Sequence, residues 1–104
     1  MSFSMISGNV RAAGVLAVPL TPASVAANTT AEQTFTVTGL LPSDYVYANG
    51  SFQNGVGIVN VRVSAPDTLA IRFSNNTAGA LTPTAGTYTV LVVRGGSQPS
   101  GFSP

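Results

Sequence analysis

Hydrophobic and polar residues take turns most plainly between positions 59 and 74. Val59, Val61 and Val63 alternate with Asn60, Arg62 and Ser64, and Leu69, Ile71 and Phe73 alternate with Ala70, Arg72 and Ser74. A period of two sends successive side chains to opposite faces of an extended chain, so each run predicts a half-buried strand with its arginine on the polar face. Between them Ser64-Ala65-Pro66-Asp67 reads as a tight turn, Pro66 contributing a preset φ, and the two strands form a hairpin.

The same reading extends outward. Strands are predicted at Val10 to Val18, Glu32 to Thr38, Asp44 to Ala48 and Thr87 to Arg94. In the second of these, Thr34, Thr36 and Thr38 alternate with Phe35 and Val37, a half-buried strand with hydroxyls outside. Val90-Leu91-Val92-Val93 is apolar at every position, which predicts a strand that is central or covered on both faces. Ser24 to Ala26, between Pro22 and Asn28, suits a short edge strand. No stretch repeats its apolar residues at a spacing of 3.6, and turn residues recur about every ten positions. The expected fold is all-β: a single antiparallel β-sandwich, immunoglobulin-like or jelly-roll-like, of about 6–8 short strands. A sandwich over residues 10–94 would carry a flexible N-terminal arm (1–9) and a C-terminal tail (95–104).

Apolar residues set in polar, Gly-rich surroundings mark candidate partner contacts: Phe3, Met5 and Ile6 in the arm, Phe52 in the Asn49 to Gly57 loop, and Phe102 in the tail. Tyr45 and Tyr47 share one side of their strand and Val46 takes the other. The pair would stack on a sugar or a partner if it faces outward and join the core if it faces inward.

Composition narrows the chemistry. Only 7% of the 104 residues are charged, against roughly 25% in an ordinary domain. The cations are Arg11, Arg62, Arg72 and Arg94, the anions Glu32, Asp44 and Asp67, and the formal net charge is +1. His, Cys, Trp and Lys are absent. That removes histidine-assisted nucleophiles, thiolate or imidazole zinc sites, disulfides and lysine Schiff bases. Three scattered acids make no calcium loop, and Gly55-Val56-Gly57 has neither the spacing nor the lysine of a phosphate loop. The expectation is no catalytic residue, no cofactor and no metal. A charge so small gives nucleic acid and anionic membranes nothing to attract, and no apolar run reaches a membrane-spanning length.

Residues 12–20 after Arg11, followed by Ser24-Val25-Ala26, imitate a secretory leader, but Gly14 and Pro19 interrupt the run. The sequons at Asn28, Asn49 and Asn75 are read as chance matches in an Asn- and Thr-rich chain. A surface with so few charges does little to keep copies apart, which points to an exterior covered by other protein.

From Pro22 to Arg94 the chain resembles small virion structural proteins of tailed bacteriophages. The segments that carry the likeness are PASVAANTTAEQTFTVTGL (22–40) and GIVNVRVSAPDTLAIRFSNNTAGALTP (57–83). The resemblance implies a capsid decoration, or cement, protein on the outer capsid surface, partnered by the major capsid protein and forming a homo-oligomer, dimer or trimer. The alternative is a tail-fibre or receptor-binding module that recognises host surface glycans. A secreted adhesion domain is a third class, and it would need the leader to be real.

Overall fold

The computed structural model describes residues 10–50 and 54–96. The expectations placed on Phe3, Met5, Ile6, Phe52 and Phe102 lie outside the described residues. Among those described, the strands are β1 (Val10–Leu20), β2 (Thr29–Thr36), β3 (Tyr45–Asn49), β4 (Val56–Ala65), β5 (Thr68–Asn75) and β6 (Gly86–Gly95). They form two antiparallel three-stranded sheets, ordered β1-β6-β3 and β2-β5-β4. The chain is therefore a small all-β sandwich. Its core is built from the inward residues of both sheets, chiefly Val46, Tyr88 and Val90 from one and Val63, Leu69, Ile71 and Phe73 from the other.

Alternation along β5 is followed as predicted: Leu69, Ile71 and Phe73 are buried, while Arg72 points outward. Along β4 it is not. The ladder pairs Ile58 with Phe73 and Asn60 with Arg72, leaving Val59 as an extra residue. This bulge reverses the phase of the strand. Val59, expected inside with Val61 and Val63, is 60% exposed, and Ile58 packs against the core instead. A second register shift between Val63 and Ala65 moves the hairpin turn one residue later than expected. Ala65 pairs with Thr68, and Pro66-Asp67 forms the loop, with Asp67 at φ 61°.

Two more expectations are corrected. Strand β2 starts at Thr29 and ends at Thr36, earlier at both ends than predicted. Residues 24–26 form no strand; Val25 makes one isolated bridge to Leu81, donating at 2.7 Å and accepting at 3.0 Å. The Gln33 side chain supplies the rest of that attachment, donating to the Ala23 carbonyl at 2.8 Å and accepting from its N–H at 2.7 Å. Strand β6 takes the central place that its apolar run allows; one of its faces is covered, Val90 being fully buried and Leu91 37% exposed.

Two details close the ends of the sandwich. Asn75, buried at the end of β5, donates to the carbonyls of Val25 (3.0 Å) and Gly79 (2.9 Å) and accepts from the N–H (2.9 Å) and hydroxyl (2.7 Å) of Thr77. Its amide is therefore taken up inside the fold. At the far end of β3, a Cβ on Gly50 would overlap the buried Tyr88 ring, so glycine is required there by close approach.

Candidate interaction face

Tyr45 and Tyr47 are aimed by the residue that precedes them. Asp44 sits at the mouth of β3, its side chain fully buried. Arg94 of β6 reaches it with two hydrogen bonds, Nε to Oδ1 at 2.8 Å and Nη2 to Oδ2 at 2.7 Å. The same Nη2 donates to the Gly39 carbonyl at 2.8 Å, and the Leu41 N–H donates to Asp44 at 2.9 Å. The Gly39 N–H donates to Asp67 at 2.7 Å, so the β4–β5 turn is held by the same loop. Gly39 has φ +101°, which a side chain would resist. The Arg94 hydrogen bonds hold the Asp44 carboxyl down at about 2, with the Leu41 N–H assisting and burial opposing.

This anchor fixes β3 beside β6 with Val46 and Ala48 inward. Tyr45 and Tyr47 therefore point away from the core, 64% and 58% exposed. The open choice between core and surface is resolved to surface.

The ladders show what surrounds them. Across the outer face of β1-β6-β3, Tyr47 lies beside Leu91 and Leu91 beside Val15; Tyr45 lies beside Val93 and Val93 beside Ala13. A third row runs Asn49, Thr89 and Ala17. Val15 is 66% exposed. None of these nine positions is charged. Sequence reasoning singled out the tyrosines and missed Val15, Leu91 and Val93. Their signal was present in the unbroken apolar run of β6 and in the Ala- and Val-rich β1, which alternation alone could not assign to a second face.

The outer face of β2-β5-β4 is the opposite in character. Its rows run Glu32, Arg72, Asn60 and Thr34, Ala70, Arg62. Arg62 donates from Nε and Nη2 to the two Glu32 oxygens, both at 2.9 Å, spanning β5. That hydrogen-bonded pairing lowers the Glu32 carboxyl below its ordinary range and raises the Arg62 guanidinium. A hydroxyl- and ion-bearing surface suits water; the other suits protein.

Two concavities flank the core. A groove of about 280 Å³ lies on the inner side of β1, among Leu16, Leu40, Val92 and Arg94. Another of about 250 Å³ lies by Tyr47, Ile58, Phe73 and Tyr88. Tyr88 donates its hydroxyl to the Thr84 carbonyl at 2.8 Å, and burial raises its pKa. Among the described residues no three His, Cys, Asp or Glu side chains gather in one place. Compared with known proteins, the chain matches no family model, no curated protein and no solved structure.

Proposed function

We propose that this chain is a structural protein of a virus particle, a capsid decoration protein that bridges major capsid subunits on the outer surface of the shell. The observation that carries the reading is the contrast between the two outer faces of the sandwich, one apolar and aromatic, the other polar and ion-paired. The virion setting rests on the resemblance of residues 22–40 and 57–83; the mode of attachment rests on the face.

Three strands about 4.8 Å apart and five residues deep present roughly 240 Å². At about 25 cal/mol per Å² that is roughly 6 kcal/mol before the cost of association, which is of similar size. One contact is weak. Repetition over a symmetric shell, and association of copies with one another, converts it into firm attachment.

Quantitative mass spectrometry of purified particles tests the setting: hundreds of copies are expected per particle. The double substitution Tyr45→Glu, Tyr47→Glu tests the face. The melting transition should move little, because both rings are exposed, while occupancy on shells should fall at least about tenfold. Unchanged occupancy would remove the face from the mechanism.

The exposed Tyr45 and Tyr47, two residues apart on one strand, favour one alternative, a tail-fibre or receptor-binding module that stacks host glycans on the rings. That reading predicts a few dozen copies or fewer and specific hits on a glycan array.

A further inference from the structure

We propose that β1 pairs with β1 of a second copy, antiparallel about a two-fold axis at Val15, fusing two three-stranded sheets into one of six strands. The inference rests on the self-association proposed above and names the surface that performs it.

The four sheet edges are unequal. Strand β2 is crossed at its edge by Ala23, which Gln33 holds through two hydrogen bonds. Strand β4 carries two register shifts, and β3 is five residues long and packs beside β4. Bulges, short length and cover are the usual protections of an edge. Strand β1 has eleven residues, and after a single shift between Val10 and Ala12 its ladder with β6 runs unbroken to Leu20. Every residue from Val10 to Ala17 is exposed. Among the described residues, protection appears only at its ends, as the shift beside Arg11 and as Pro19, which has no N–H to offer. Between them, Ala12-Ala13-Gly14-Val15-Leu16-Ala17-Val18 is a flat, uncharged template.

The midpoint of that window is Val15, and its two ends are bounded alike, which favours a copy of itself as occupant. Antiparallel pairing about Val15 sets Gly14 against Leu16, Ala13 against Ala17 and Ala12 against Val18. Arg11 falls opposite Pro19, beyond the paired stretch, so no like charges meet. Paired positions are both odd or both even, so outward residues meet outward residues. The row Tyr47, Leu91, Val15 then continues into the same row of the second copy in reverse order.

Edge pairing over residues 12–18 supplies roughly six to eight backbone hydrogen bonds and doubles the continuous apolar face offered to a shell.

The full chain should sediment as a dimer over roughly 1 to 100 µM. Val15→Lys should weaken dimerisation at least about tenfold; the side chain is exposed, so the variant should still melt cooperatively, its transition matching that of the wild type once both are diluted to monomers. Val15→Cys should cross-link under mild oxidation, because facing Cα atoms would lie about 4.5 to 5.5 Å apart, within disulfide range. Val59→Cys, exposed on the other sheet, should not. A monomer at every concentration overturns the proposal. So does a dimer indifferent to Val15→Lys in which Val15→Cys cross-links no faster than Val59→Cys; that result would move the contact to the sheet face or elsewhere. A dimer absent from particles would sink the cement reading alone, and a monomer that binds shells would sink only the β1 pairing.

Discussion

Asp44 shows how few ionic groups this chain needs and how firmly it uses them. Its carboxylate is buried yet fully answered by Arg94 and the Leu41 N–H, which offsets the cost of taking it out of water. The direction of the consequence is definite. A carboxyl at 3.8 when unfolded and about 2 when folded stabilises the fold above pH 4, and that stabilisation drains away as pH falls from about 4 toward 2. Glu32, also lowered, acts in the same sense. Asp44→Asn should cost about 1 to 3 kcal/mol at neutral pH and flatten the acid limb of a stability-against-pH curve, leaving the part due to Glu32. Chemical denaturation at successive pH values measures both effects. An unaltered acid limb would mean that the Arg94 pairing does not survive in solution.

Among the elements, β4 and β5 make an instructive pair. They share a hairpin and a plain alternation, yet one keeps phase and the other changes it at a bulge. Two substitutions read that difference. Ile71→Asp places an unpaired carboxylate at a fully buried site in the middle strand, a cost of several kcal/mol against a total stability of about 5 to 15 kcal/mol. It should abolish cooperative melting. Val59→Asp, which unbroken alternation would rank as equally harmful, should shift stability by less than about 0.5 kcal/mol because the bulge turns Val59 to water. Equal damage from both would place Val59 in the core and refute the bulge.

For the molecule as a whole, the governing feature is that its two outer surfaces call for different neighbours. The polar face holds the Glu32–Arg62 pair, and in the Asp44–Arg94 pair a buried carboxylate meets a partly exposed guanidinium at the end of the sandwich. The apolar face carries no ion across its nine positions. The attachment proposed through it should therefore respond weakly to salt. Raising sodium chloride from about 50 to 500 mM should change shell affinity less than about threefold, because screening acts on charges and not on apolar burial. A tenfold loss in a binding titration would place the contact on Arg72 and its surroundings instead.

Much of the architecture was legible from residue order. The β5 strand, the hairpin partner β4, the outward threonines of β2 and the sandwich class all follow from a period of two and from Pro and Gly punctuation, which act between near neighbours in the chain. The spacing of Tyr45 and Tyr47 guaranteed that they share a side. Only the folded molecule decided which side, because both β6 and β1 are apolar on both faces and either could have met the core. The choice came from contacts far apart in sequence: Arg94 clasping Asp44 fifty positions away, and β1 lying along β6. Alternation tells which side chains stand together; it carries no information about which of two similar faces another sheet will cover.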